Sequence, residues 1–266
     1  MSNNHGVHSR VSSPSAGSLP PLAEILAERS VLLTGATGFL GKVVLYLLLR
    51  YHPEVKRLYL LIRGDSKSSF NRFNREILDS PAMGPLRDHL GSRFDQYVQE
   101  RIAILPGDIT NPDLVSPAAA NCGALDVVIH CAGLVNFEAS LEKALTINVI
   151  GVKHVIDFCR KRGAALVHVS TCYAAGAADG HRFEDDLPLD WCPSGQPKFS
   201  VQREIKDALA ACERIESESR DQSRRAQFTD DMEHEAAGDG RELAYESRRK
   251  QWVEERLKEI GRERAL

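Results

Sequence analysis

The sequence lacks every usual device for cross-linking a fold. Its six cysteines, Cys122, Cys131, Cys159, Cys172, Cys192 and Cys212, are scattered, and no two form a Cys-x-x-Cys pair. That argues against a disulfide framework or a zinc site and fits reduced thiols in a cytoplasmic protein, with no metal expected. No apolar run reaches membrane-spanning length; Val43 to Leu49 is apolar but short, and reads as a buried helix. The N-terminus has no apolar signal core, so secretion is not expected. An excess of positive charge is missing too: 34 Lys and Arg stand against 37 Asp and Glu, a net charge of -3. Without a basic field, a nucleic-acid partner is not expected. There is no internal repeat.

What is present suits a globular chain with a core. Of 266 residues, 42% are hydrophobic and 27% charged, enough for one large α/β domain or two small ones. Residues 1–20 are rich in Ser, Pro, Gly and Asn and read as a disordered tail, because they cannot bury enough apolar surface to offset the entropy of ordering. Leu22 to Leu26 reads as a short helix. Apolar runs then alternate with helical patterns. Val31–Leu33, Leu58–Ile62, Ile102–Leu105, Asp126–His130 and Ala165–Val169 read as strands, and continuous Val, Ile and Leu runs suit parallel strands buried on both faces. Between them, Gly38–Tyr51 and Leu141–Arg162 read as helices, and Ser69 to about Arg101 as two or three short ones. The expected fold class is α/β, a Rossmann-type doubly wound parallel sheet over residues 21–195.

A charged all-helical stretch follows over 196–266. Ile205, Leu209, Cys212 and Ile215 recur at helical spacing, as do Trp252, Val253, Leu257 and Ile260. Two or three amphipathic helices are expected, with a break near Gly238-Asp239-Gly240. The apolar stripe is too short for a sustained coiled-coil seam, so a solvated helical insertion is the simpler reading.

The motif that carries chemistry is Thr34-Gly35-Ala36-Thr37-Gly38-Phe39-Leu40-Gly41, between a strand and a helix. Gly35 allows a sharp turn, Gly38 lets backbone N–H groups approach a pyrophosphate, and Gly41 permits close packing of the helix. The helix N-terminus adds uncapped N–H groups and a positive dipole end. The plain alternative is an ordinary tight turn, but the flanks are those of a dinucleotide site. A preference for NAD usually comes from Asp or Glu at the end of the second strand. Here Leu60-Leu61-Ile62 ends in Arg63-Gly64, and a guanidinium there can pair bidentately with a 2′-phosphate. NADPH is therefore the expected cofactor, although Asp65, two residues on, keeps NADH open.

The glycine spacing Gly-x-x-Gly-x-x-Gly resembles the extended branch of the short-chain dehydrogenase/reductase superfamily. Together with Leu61-Ile62-Arg63-Gly64, Gly107-Asp108-Ile109, His130-Cys131-Ala132-Gly133, Val135-Asn136-Phe137 and Val169-Ser170-Thr171-Cys172-Tyr173, it resembles the fatty acyl-CoA reductase (male-sterility) family. That family is related to the thioester reductase domains of carboxylic acid reductases. The resemblance runs from about Leu22 to about Trp191 and is weaker beyond. It implies that Asp108 and Ile109 meet the adenine, unless Asp108 is only a turn residue. It also implies that Cys131, Ala132 and Gly133 lie against the cofactor and that Asn148 is a structural asparagine of the long helix. The catalytic hydroxyl it implies is Thr171, with Ser170 second.

The implied reaction is reduction of a fatty acyl-CoA thioester by NADPH to an aldehyde, and in many members onward to an alcohol. A Tyr-x-x-x-Lys pair completes the family's machinery. Tyr173 has no lysine at that spacing, and Tyr245 precedes Lys250 by one residue too many. The chain thus reads as stopping short of that pair and of the family's substrate-binding portion, where any peripheral membrane contact would lie. Two other readings stay open: a non-catalytic NADP-binding sensor or partner module, and a nucleotide-sugar epimerase or dehydratase of the same superfamily.

Overall fold

Val31, Leu32 and Leu33 are completely buried, and a run buried on both sides needs cover on both. The computed structural model, which describes residues 20–115, 122–171, 199–230 and 239–265, supplies that cover. After a short helix α1 (Leu22–Leu26), strand β1 (Ser30–Thr34) leads into α2 (Phe39–Tyr51) and β2 (Arg57–Ile62). Helix α3 (Ser66–Arg72) runs into a π turn (Phe73–Leu78), and α4 (Gly84–Leu90) and α5 (Phe94–Arg101) precede β3 (Ile102–Pro106). Then come β4 (Val127–His130), α6 (Leu141–Leu145), a π turn (Thr146–Gly151), α7 (Val152–Arg162) and β5 (Ala165–His168). All four strand pairings are parallel, in the order β3-β2-β1-β4-β5.

Alternation along each strand divides the core. Val31 and Leu33 of β1, with Leu58, Leu60 and Ile62 of β2, pack against Leu45, Leu48 and Leu49 of α2 and against Phe73, Ile77, Leu86 and Phe94. Leu32, Leu61, Leu105 and Val128 point the other way, onto Val155, Phe158 and Cys159 of α7. Successive strand residues face opposite sides, so one sheet feeds two cores. The expected doubly wound sheet is therefore present, with strand ends within a residue or so of those read from the sequence.

Differences from the sequence reading are local. The helix expected over Leu141–Arg162 is not regular, because a π turn interrupts it at Thr146–Gly151. The expected tail over 1–20 lies, apart from Pro20, outside the described residues. Helices α8 (Val201–Glu218), α9 (Gln222–Asp230) and α10 (Asp239–Ala265) form the charged stretch. Asp239 and Gly240, read as a break, begin α10 instead, while Gly238 is outside the described residues.

The apolar face of α8 also turns out rotated. Leu209 is exposed, while Ile215 is buried as expected and Ala208 and Ala211 are buried beside it. Small residues let α8 sit close to α10, whose Val253, Leu257 and Ile260 complete this cluster. A buried cation locks the pair: Arg249 donates to Glu216 Oε1 at 2.7 Å, Glu246 Oε2 at 3.0 Å and Ser219 Oγ at 3.0 Å. Hydrogen bonds to Glu246 and Glu216 raise the Arg249 pKa. The stretch is thus a packed helical layer, also resting on α6 through Leu141.

Leu257 is 1% exposed at the centre of that layer. Leu257→Ala is expected to cost roughly 2–5 kcal/mol, by lost transfer energy and the cavity left behind. Hydrogen exchange should show protection lost in α8 and α10 while β1 and β2 keep theirs; equal loss in β1 would contradict the separation.

Candidate functional site

Strand order reverses at β1, which pairs with β2 on one side and β4 on the other. Loops leaving β1 and β4 at their C-terminal ends diverge, which opens a crevice of the kind that binds ligands in such sheets. The crevice is a cleft of about 300 Å³ with the Gly-rich turn for its floor. Thr34, Gly35, Thr37, Gly38, Arg63, Asp108, Ile109, Cys131, Ala132 and Gly133 all line it. The sequence reading named these ten; the structure brings them together.

Two glycines are fixed by space. Gly35 has a φ of +72°, and a Cβ there would lie 2.6 Å from Ala132 N and from the Cys131 carbonyl carbon. A Cβ on Gly41 would lie 2.1 Å from Gly35 O, so this glycine lets α2 close on the turn itself. At Gly38, by contrast, a Cβ would meet protein only at Gly35 O, at 3.2 Å. Gly38 is the N-cap of α2, and no side chain caps that helix. The first N–H groups of the helix, on Phe39, Leu40 and Gly41, are thus left for another acceptor. The side chains of Phe39 and Leu40 do not line the cleft, and Phe39 is 88% exposed.

A polar contact ties the β1 and β4 turns together. Thr34 Oγ1 accepts from Ala132 N at 3.3 Å and shares a 2.6 Å hydrogen bond with His130 Nδ1. His130 is fully buried, and its Nε2 has no partner among the described residues. Burial, then the nearby His168, whose ring stacks on it at 5.2 Å, push the His130 pKa down to about 4. The ring is therefore neutral at pH 7.

The end of β2 carries the positive charge. Arg63 is exposed at the rim, and a second arginine, Arg72 of α3, lines the same cleft. Arg72 donates to the Arg63 carbonyl at 3.1 Å and to Thr37 Oγ1 at 3.5 Å. Glu76 aims it through two 3.0 Å hydrogen bonds, and these, with Arg75, hold the Glu76 pKa down at about 2. The sequence reading missed Arg72. Its signal was the Arg72–Glu76 spacing of four, which places a fixed guanidinium one helix beyond Arg63. Asp65 is engaged elsewhere. It caps α3, accepting from Ser68 N and Ser68 Oγ at 2.7 Å each. Those bonds also lower its pKa.

On the far wall, Asp108 is a turn residue that also faces the cleft. It lines the cleft, and its Oδ1 accepts from Thr110 N and Thr110 Oγ1 at 2.9 Å. Asn148, inside the π turn, clamps the next loop: its Oδ1 accepts from Leu134 N at 2.7 Å and its Nδ2 donates to Leu134 O at 2.9 Å. Beyond Leu134 a second groove opens, and Thr171 lies on its edge. Ser170 lines neither opening. Tyr245 packs in the helical layer against Phe228, with ring centroids 6.2 Å apart, and lines neither opening. Tyr173 is outside the described residues. No group of His, Cys, Asp or Glu among the described residues could hold a metal ion.

A cradle that one Cβ at Gly38 would fill, uncapped helical N–H groups and two arginines fit the phosphates of a nicotinamide dinucleotide. Comparison with known proteins gives the family. The family model described as Male sterility protein matches residues 33–239. The chain is 33% identical over 192 residues to an alcohol-forming fatty acyl-CoA reductase of Simmondsia chinensis, covering 70% of this chain and 39% of that protein. It is 32% identical over 192 residues to fatty acyl-CoA reductase 1 of Arabidopsis thaliana, covering 68% and 38%. The solved terminal R domain from the myxalamid PKS-NRPS biosynthetic pathway is 27% identical, with a TM-score of 0.49 over 73% of this chain and 46% of that one. The chain spans about two fifths of the length of the two curated relatives.

The glycine geometry separates two variants. Gly41→Ala should destabilise the protein by roughly 1–3 kcal/mol, the usual range for overpacking. Gly38→Val should melt within a few degrees of the wild type yet lose nucleotide binding, measured by circular dichroism and nucleotide fluorescence. Retained binding in Gly38→Val would make the turn structural only.

His130 sets a pH dependence. The unfolded chain takes up this proton below about pH 6.5, the folded one only below about pH 4, so the contribution is whole above pH 6.5 and lost as pH falls. Urea unfolding should show up to about 3 kcal/mol lost over that window beyond what His130→Gln loses. Parallel pH profiles for the two proteins would contradict this.

Proposed function

The chain belongs to the male sterility protein family, and from that premise we propose that it is the NADPH-binding part of a reductase of fatty acyl-CoA thioesters. The observation that carries the reading is the pair of arginines at the end of β2. Arg63 stands at the rim, Arg72 is held against its carbonyl and Thr37 with Glu76 behind it, and Asp65, the carboxylate two residues past Arg63, is engaged in capping α3. A 2′-phosphate would meet two guanidinium groups there, where a site built for the 2′-OH would offer a carboxylate.

The remaining residues divide the work of holding such a ligand. The N–H groups at the start of α2 and the bare Gly38 would take the pyrophosphate. Asp108 and Ile109 would border the adenine, and Cys131, Ala132 and Gly133 would support the nicotinamide side. When bound, the nicotinamide supplies a hydride. Negative charge then grows on the thioester oxygen, and a hydroxyl such as that of Thr171 at the groove edge can stabilise it by hydrogen bonding. Uptake of one hydride and one proton, with loss of the thiol, gives an aldehyde; a second hydride and proton give an alcohol. The curated relatives named as fatty acyl-CoA reductases, one of them alcohol-forming, support this substrate class and outcome.

Calorimetric titration with both cofactors tests the reading. NADPH should bind about ten- to a hundredfold more tightly than NADH, the value of a charge-assisted bidentate contact. Arg63→Ala and Arg72→Ala should each weaken NADPH by about tenfold or more and leave NADH within about threefold. Equal affinities of the wild type for the two cofactors would overturn it.

A further inference from the structure

Ile109 lines the cleft but is only 8% exposed, so most of it is packed against protein. The turn after β3 secures its neighbours by itself. Asp108 N donates to Leu114 O at 2.9 Å, Asn111 N donates to Asp108 O at 3.0 Å, and Thr110 is bound to the Asp108 carboxylate. The Ile109 carbonyl is met from outside the turn, by α7, where His154 Nδ1 lies 3.0 Å from it. A carbonyl oxygen only accepts, so Nδ1 carries the hydrogen and the half-buried ring holds its donor toward the turn.

Behind the Ile109 side chain lies Gly151, the last residue of the π turn. A Cβ there would be 3.2 Å from Ile109 Cδ1 and 3.3 Å from Ile109 Cγ1, closer than side chains ordinarily pack. Gly151 is buried and does not line the cleft, so its missing side chain sets how far Ile109 stands back from the opening. Asn148, on the same π turn, clamps Leu134, which also lines the cleft. Asn148, Gly151 and His154 thus recur at a spacing of three across the junction of the π turn and α7, and each grips a loop of the site. Asn148 holds the loop after β4; the other two hold the turn after β3.

We propose that His154 and Gly151 are positioning residues for the adenine. His154 fixes the Ile109 backbone, and Gly151 fixes the depth of its side chain. Although no residue of α7 lines the cleft, that helix then sets the affinity of the site for the adenosine half of the cofactor. This deepens the dinucleotide reading and rests on it. Neither residue touches the ligand; both act through Ile109.

NMR titration of the full chain with NADPH, adenosine 2′,5′-bisphosphate and reduced nicotinamide mononucleotide tests this, since the second carries only the adenine half and the third only the nicotinamide half. His154→Leu should weaken NADPH and the bisphosphate by about three- to tenfold, the scale of a neutral hydrogen bond, and leave the mononucleotide unchanged. His154→Asn, whose amide nitrogen stands as many bonds from Cα as Nδ1 does, should recover most of that loss. Gly151→Ala, which pushes Ile109 toward the opening, should weaken the same two ligands by about threefold or more and again spare the mononucleotide, and it serves where His154→Leu does not fold. An equal loss for all three ligands would mark a general loosening and overturn the assignment. Unaltered adenine binding in both His154→Leu and Gly151→Ala, or a His154→Asn variant no better than His154→Leu, would also overturn it. A wild type that binds none of the three ligands would overturn the dinucleotide reading and this assignment with it; wild-type binding with insensitive variants overturns the assignment alone.

Discussion

Gly35 leaves no room for a side chain against the Cys131–Ala132 peptide, and most of the site follows from that approach. Because the two backbones meet, the turns after β1 and β4 form one continuous floor. Thr34 reinforces the junction from beneath, reaching Ala132 and the buried His130 at once. A polar threonine with no exposure at the end of an apolar strand would be costly if unpaired; here both contacts offset its desolvation. The same approach sets where the crevice opens and directs the uncapped start of α2 into it.

Positive charge is then added at the β2 end of the cleft. Glu76 fixes Arg72, Arg72 touches both Thr37 and the Arg63 carbonyl, and so the β2 end is coupled to the Gly-rich turn by a single guanidinium. On the other side, Asn148 clamps Leu134 through both of its amide atoms, and Leu134 is the lip shared by the two openings. A π turn at Thr146–Gly151 carries that asparagine, which gives a local irregularity in an otherwise helical run a function in shaping the cleft.

Much of this was legible in the sequence because it rests on local rules. Apolar runs of Val, Ile and Leu marked the five strands, and the glycine triplet marked the turn, since backbone sterics require glycine at Gly35 and Gly41. Other features depended on tertiary contacts that spacing does not encode. Leu209 fits the helical stripe of α8 but is exposed, because α8 turns Ala211 and Ile215 toward α10. Arg72 sits nine residues past Arg63, within a run of polar helix, and only the folded β2–α3 connection aims it at the turn. Tyr245, one residue too far from Lys250 to match the family's pair, has its ring engaged with Phe228 in the helical layer. That α10 walls the second groove was beyond sequence reasoning, because it depends on where Gly261 meets Leu141.

The central claim is that one crevice, bounded by the β1, β2 and β4 ends, holds a 2′-phosphorylated dinucleotide. Amide and guanidinium NMR shifts on titration with NADPH test it most directly. The account expects the largest changes at the Gly35–Gly41 amides, at Ala132 and Gly133, and at the Arg63 and Arg72 side-chain Nε groups, with the arginine changes absent when NADH replaces NADPH. Shifts confined to α8–α10, or arginine changes of the same size with both cofactors, would contradict it.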